Sequence, residues 1–197
     1  MKTVVFDVGG VLLDWDPEYL YRKLIPDDGE RAHFLRDVCP REWNARADAG
    51  LSWPDAVAER ISLYPDKAEL IRAYDTRWPE MVSGQLHDVV AIKDELRDKG
   101  IPLYAITNFS SQKWRLSQTL WPTLADFDGV VVSGDEKLLK PDPRIYQVLF
   151  DRYGLAPADC LFIDDVPANI DGAKHAGMAG HVFTSASSLR QALQDFL

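Results

Sequence analysis

The stretch that decides the fold is residues 3–10, Thr3-Val4-Val5-Phe6-Asp7-Val8-Gly9-Gly10. A short β-branched and aromatic run ends in an acid, and a glycine pair follows at once. This reads as a buried strand that delivers Asp7 to its C-terminal tip. Strand tips are where open α/β sheets place their ligands.

Working outward, four further runs have the same character: Pro102 to Thr107, Gly129 to Ser133, Cys160 to Ile163 and Gly180 to Thr184. Between them lie amphipathic stretches, Leu86 to Lys99, Pro143 to Tyr153 and Ala168 to Ala176, each followed by a glycine suited to a helix C-terminus. Strand and helix therefore alternate from residue 86 onward. That rhythm predicts an α/β fold, a Rossmann-like three-layer core whose parallel sheet is joined by right-handed crossovers.

Residues 17–85 break the rhythm. They hold Trp43, Trp53 and Trp78 and helix-compatible patterns over Glu18 to Leu24, Glu30 to Val38, Trp53 to Ser62 and Lys67 to Trp78, with no β-rich run. The expected organisation is a core of residues 1–16 and 86–197 interrupted by a small helical bundle at 17–85. Its place directly after the first strand suits a lid over the strand tip, with plain packing helices as the alternative.

Composition sets the limits on function. The 197 residues are 46% hydrophobic and 27% charged, an ordinary globular balance that excludes collagen, coiled coil and disorder. With 31 acidic against 22 basic residues the formal charge is -9, so the long-range field that draws nucleic acid or an anionic membrane is missing. No apolar stretch approaches the roughly 18 residues of a membrane span, and Cys39 and Cys160 lack zinc or disulfide spacing. The expectation is a cytoplasmic protein with two reduced thiols, monomer or homodimer, binding neither nucleic acid nor membrane.

Four strand ends carry chemistry: Asp7, Thr107-Asn108, Lys140 and Asp164-Asp165. In a parallel sheet these ends share one edge, so three carboxylates, a hydroxyl and an ammonium would converge there. Three neighbouring acids repel unless a cation neutralises them, and hard oxygen donors suit Mg²⁺ bridging to a phosphate. Lys140 and Thr107 would hold phosphoryl oxygens, and a carboxylate attacking phosphorus would form an aspartyl-phosphate.

With these motifs in order, FDVGGVLLD, AITN, KPDPRIY and FIDDVPANIDGAKHAG, the chain resembles the haloacid dehalogenase-like hydrolase superfamily over essentially its whole length, in the branch with a helical cap inserted after the first motif. The resemblance implies Asp7 as nucleophile, Thr107, Asn108 and Lys140 at the phosphate, and a metal held by Asp7, the Gly9 carbonyl, Asp165 and Asp164. Asn169 would orient that loop or a metal-bound water. One departure stands out. The family's phosphatases usually carry a second Asp two residues after the nucleophile as general acid, and here that residue is Gly9.

The expected activity is therefore Mg²⁺-dependent hydrolysis of a small phosphate ester, and the glycine variant of the first motif resembles a subgroup that includes sugar-1-phosphate phosphatases. A metal-free 2-haloacid dehalogenase, whose halide leaves without a proton, and a non-catalytic phosphate-ligand binder are the alternatives. Asp14 and Asp16 are tempting replacements for the missing acid, but Asp14 fits better as a cap or hinge where the chain leaves the core. The stretch REWNARADAG offers Arg41, Trp43, Arg46 and Asp48 for substrate contact, with Arg46 at the phosphate, or else forms an interhelical loop. The tryptophans fit a packed bundle better than a sugar-stacking platform.

Overall fold

The computed structural model describes residues 1–197. Five strands, β1 (Thr3–Phe6), β4 (Leu103–Thr107), β5 (Gly129–Val132), β6 (Cys160–Asp164) and β7 (Ala179–Val182), form one sheet in the order β5-β4-β1-β6-β7. Every pairing is parallel. All four residues of β1 are buried, as its central place requires.

The pleat sends alternate residues to opposite faces, and two apolar layers result. On one face Val4 and Phe6 join Leu103, Ala105, Leu161 and Ile163. There α6 (His87–Asp98) and α11 (Ala186–Phe196) cover the sheet with Val89, Ile92, Leu189 and Leu193. On the other face Val5, Ile106 and Phe162 meet α9 (Pro143–Tyr153) and α10 (Pro167–His175) through Ile145, Tyr146, Leu149 and Ile170. Local signals set the ends of α9: the Asp142 side chain accepts from the Arg144 N–H, Pro143 opens the helix, and Gly154 closes it at φ +66°. Two more helices, α7 (Ser111–Leu120) and the one-turn α8 (Ser133–Glu136), follow β4 and β5.

Between β1 and α6 the chain builds α1 (Glu18–Leu24), α2 (Asp28–His33) running into a π-helical turn at Phe34–Val38, α3 (Arg41–Asp48), α4 (Trp53–Leu63) and α5 (Ala68–Thr76). Their shared interior is aromatic: Trp43 stands edge-on to Tyr74 at 5.1 Å and to Trp53 at 5.5 Å. The stretch Arg41–Asp48 is helical, not a loop.

A two-stranded stem also differs from the sequence reading. Within the segment expected to be helical, β3 (Val82–Gln85) pairs antiparallel with β2 (Leu13–Trp15). Val-Ser-Gly-Gln has little strand propensity, and the pairing exists because the chain must re-enter the core beside the point where it left. Asp14 ties this stem, accepting from Tyr19 Oη and Ser83 Oγ, while Asp16 accepts from the Glu18 N–H at the start of α1.

Candidate active site

Parallel register brings the first acids together. Phe6 pairs with Ile163, and the Asp7 N–H donates to the Ile163 carbonyl at 2.8 Å, so Asp7 and Asp164 leave the sheet side by side. Lys140 arrives after α8 on a turn braced by Asn108, whose side chain accepts from the Lys140 N–H and donates to the Lys140 carbonyl. The Lys140 ammonium lies 2.8 Å from Asp7 Oδ1, 2.7 Å from Asp164 Oδ2 and 3.0 Å from the Ile106 carbonyl. These three bonds engage all three ammonium protons, so a phosphoryl oxygen reaches Lys140 only by exchanging one of them.

Asp164 is fully buried and also accepts from Asn169 Nδ2 and the Val166 N–H. Asn169 thus orients a carboxylate. Asp165, by contrast, is exposed. Gly10 lets it approach: a Cβ there would fall 2.5 Å from Asp165 Oδ2, and the Gly10 backbone has φ +75°.

Carboxylate oxygens of Asp7, Asp164 and Asp165 lie within 4.8 Å of one another, with Lys140 as their one bonded cation. Burial drives the Asp7 carboxyl up to about 7, against the pull of Lys140, and the charge of Asp164 adds to the rise. Burial and then Asp164 also raise Asp165. Burial works against a charged Lys140, but Asp7 and Asp164 more than offset it and hold the ammonium above its ordinary value. An excess of acid over base with only hard oxygen donors fits a divalent cation of the Mg²⁺ class.

The site opens into a pocket of about 230 Å³ between the sheet edge and the helical insertion. Asp7, Gly9, Asn108, Lys140, Asp165 and Asn169 line it from the core. Thr107 is buried at the end of β4, outside the pocket wall, and Asp164 lies behind Lys140. From α3 come Arg41, Asn44 and Asp48. Arg41 has no acid partner, which makes it the unpaired cation of the pocket.

Arg46 is not brought to the site. At about 3.6 residues per turn, positions 41, 44 and 48 share one face of α3, while Trp43 and Ala47 face the interior and Arg46 points away. It pairs instead with Glu59 at 2.7 Å, more than half exposed. The sequence reading missed Asn44, Lys113, Trp15, Trp53, Trp78 and Phe109 in the wall. Lys113 carries no motif signal, and the tryptophans serve both the interior and the pocket.

The bonds that dock the insertion on the core include Trp53 Nε1 to Ser110 Oγ at 2.9 Å, Ser133 Oγ to the Asp48 carbonyl at 2.6 Å, and Lys113 Nζ to the Asp75 carbonyl at 2.8 Å. Cys39 and Cys160 are buried and unpaired, and burial pushes their thiols up to about 12 and about 11. No helix is long and apolar enough to cross a membrane.

A family model described as haloacid dehalogenase-like hydrolase matches residues 1–177. A phosphatase of Mycobacterium tuberculosis is 26% identical over 201 residues, spanning 96% of this chain and 90% of its own length. A phosphorylated carbohydrates phosphatase of Thermotoga maritima is 25% identical over 184 residues, spanning 90% and 82%. The crystal structure of a family enzyme from Bacteroides thetaiotaomicron, in complex with magnesium and inorganic phosphate, has the same fold, with a TM-score of 0.72 at 21% identity over 93% of this chain and 94% of its own.

Proposed function

The chain belongs to the haloacid dehalogenase-like hydrolases, and from that premise we propose that it is a phosphohydrolase cleaving a small phosphate monoester through an aspartyl-phosphate on Asp7. The observation that carries this reading is the state of Asp7. Its Oδ1 is held by Lys140 Nζ at 2.8 Å and the Val8 N–H at 2.7 Å, no hydrogen bond engages Oδ2, and the residue lines the pocket. A fixed carboxylate with one unengaged oxygen is the nucleophile this chemistry needs.

Each neighbour has a task. Lys140 pulls the Asp7 carboxyl toward its charged form against the larger effect of burial and, with Asn169, positions Asp164. Arg41, on the insertion and without an acid partner, supplies positive charge where an anionic ester enters. A divalent cation held by Asp7, Asp165 and the Gly9 carbonyl, with Asp164 behind them, would neutralise the acids and the phosphoryl charge together. Residues 17–85 act as a cap: docked, they keep bulk water from the reaction, and release of the bonds at Ser110, Ser133 and Asp75 admits substrate.

A pocket of about 230 Å³ walled by polar groups and aromatic residues suits a small metabolite such as a sugar phosphate. The likeness to a carbohydrate phosphatase supports that substrate class. Phosphate release from a panel of sugar phosphates and an aryl phosphate, with and without Mg²⁺, tests the reading. Turnover that chelation leaves unchanged removes the metal from the account. Chloride release from 2-chloropropionate, with no phosphate release, replaces the function by dehalogenation.

A further inference from the structure

Transfer of a phosphoryl group from an alkyl or simple aryl ester needs a proton on the departing oxygen. Position 9, two residues past the nucleophile, is glycine and has none to give. Space does not force that choice, because a Cβ on Gly9 would meet no atom within 4 Å. The acid has to come from elsewhere in the pocket.

Besides Asp7 and Asp165, one carboxyl lines the pocket: Asp48, in the last turn of α3. It is held in place from both ends. The carboxyl accepts from Asn44 Nδ2 at 2.6 Å and from the Ser110 N–H, and the Asp48 carbonyl accepts from Ser133 Oγ. Ser133 Oγ in turn accepts from the Phe109 N–H, so Asp48 is fastened to the loop that follows β4 at the site itself.

No cation pairs with Asp48. Arg41 lies on its own helix and Lys113 on α7, the latter engaged by Asp75. Past α8, Lys137 packs on Gly50, and Glu136 is held by Arg152 with Asp135 beside it. On α4, Asp55 binds Ser52 and Glu59 binds Arg46. Across the pocket stand Asp7, Asp165 and Lys140, the last committed to Asp7 and Asp164. Burial pushes the Asp48 carboxyl up to about 8, over the opposing hydrogen bonds, so it carries a proton at neutral pH.

We propose that Asp48 is the general acid of the reaction, a catalytic residue supplied by the insertion in place of the acid missing at Gly9. The proposal rests on Asp7 as nucleophile. As Asp7 Oδ2 bonds to phosphorus, the ester P–O bond breaks, its electron pair goes to the leaving oxygen, and that oxygen takes the Asp48 proton and departs as an alcohol. In the return step the Asp48 carboxylate takes a proton from water while the water oxygen bonds to phosphorus. The bond from phosphorus to Asp7 then breaks, inorganic phosphate leaves, and both carboxyls regain their starting states.

Phenyl phosphate and p-nitrophenyl phosphate test this directly, since they have nearly the same shape and differ in how much the leaving oxygen needs a proton. Single-turnover rates with Mg²⁺ present isolate the first step. Asp48→Asn is expected to slow phenyl phosphate by about 10²–10⁴-fold, and p-nitrophenyl phosphate by a factor at least about tenfold smaller. Asp48→Glu, which keeps a carboxyl, brings the two substrates back together. In the wild type, kcat/KM for phenyl phosphate falls as pH rises through about 8, a limb that the Asn variant lacks. An equal loss on both esters, or a change confined to KM, overturns the proposal and leaves Asp48 a structural or binding group. A wild type that releases phosphate from neither ester takes down the phosphohydrolase reading itself, a different failure from any difference between variants.

Discussion

Replacing Asp48 by Asn changes how the stability of the folded protein depends on pH, with no substrate involved. Burial sets the Asp48 carboxyl at about 8 against an ordinary 3.8, more than offsetting the bonds from Ser110 and Asn44. Between those two values the folded state keeps a proton that the unfolded chain has released. Stability is therefore fully present below about pH 4 and is lost as pH rises through about 8. At about 1.4 kcal/mol per pH unit the ceiling is about 6 kcal/mol. Asp48 lies in the wall of a pocket open to water, which screens much of that, and a loss of about 2–3 kcal/mol is expected. Asn has nearly the same shape and no charge to bury, so the variant escapes the loss. Melting curves of the metal-free protein at about pH 5 and about pH 9 read the difference: the variant gains about 5–10 °C on the wild type between the two conditions for a chain of this size. Parallel pH curves for the two proteins would refute the reasoning, because Asp48 would then be ionised at neutrality.

Lys140→Met leaves Asp7 and Asp164 buried side by side without their cation and is expected to cost about 3–5 kcal/mol in denaturant titrations near neutral pH, less in acid, where the carboxyls protonate. Gly10→Ala forces a Cβ into Asp165 on a left-handed backbone, costing about 1–2 kcal/mol from the backbone alone, and isothermal titration should show weakened Mg²⁺ binding. Arg46→Ala removes only an exposed pair with Glu59, so steady-state kinetics should be unchanged and the melting free energy should move by less than about 1 kcal/mol.

How far the sequence can be read follows from which interactions are local. The central strands β4, β1 and β6 announce themselves as apolar runs because they are buried in the middle of the sheet, and Asp7 and the Asp164-Asp165 pair are visible as acids at their tips. The β2–β3 stem is different: Val82–Gln85 becomes a strand only through a partner some 70 residues away in sequence, at Leu13–Trp15. The polar stretch around Arg46 points that residue to the phosphate, yet it pairs with Glu59 instead. The rotation of α3 is decided by Trp43 packing on Trp53 and Tyr74, and that turns positions 41, 44 and 48 inward in its stead. The roles of Asn108 and Asn169 as braces for Lys140 and Asp164 rest on turns whose partners are remote in the chain.

The central claim is that Asp7 carries the phosphoryl group. Rapid quenching of the enzyme with p-nitrophenyl phosphate and Mg²⁺, followed by mass analysis of the peptide that contains Asp7, tests it most directly. The account predicts one phosphoryl group on that peptide during turnover, absent from Asp7→Asn, which remains folded and inactive. Turnover in Asp7→Asn comparable to the wild type would contradict it.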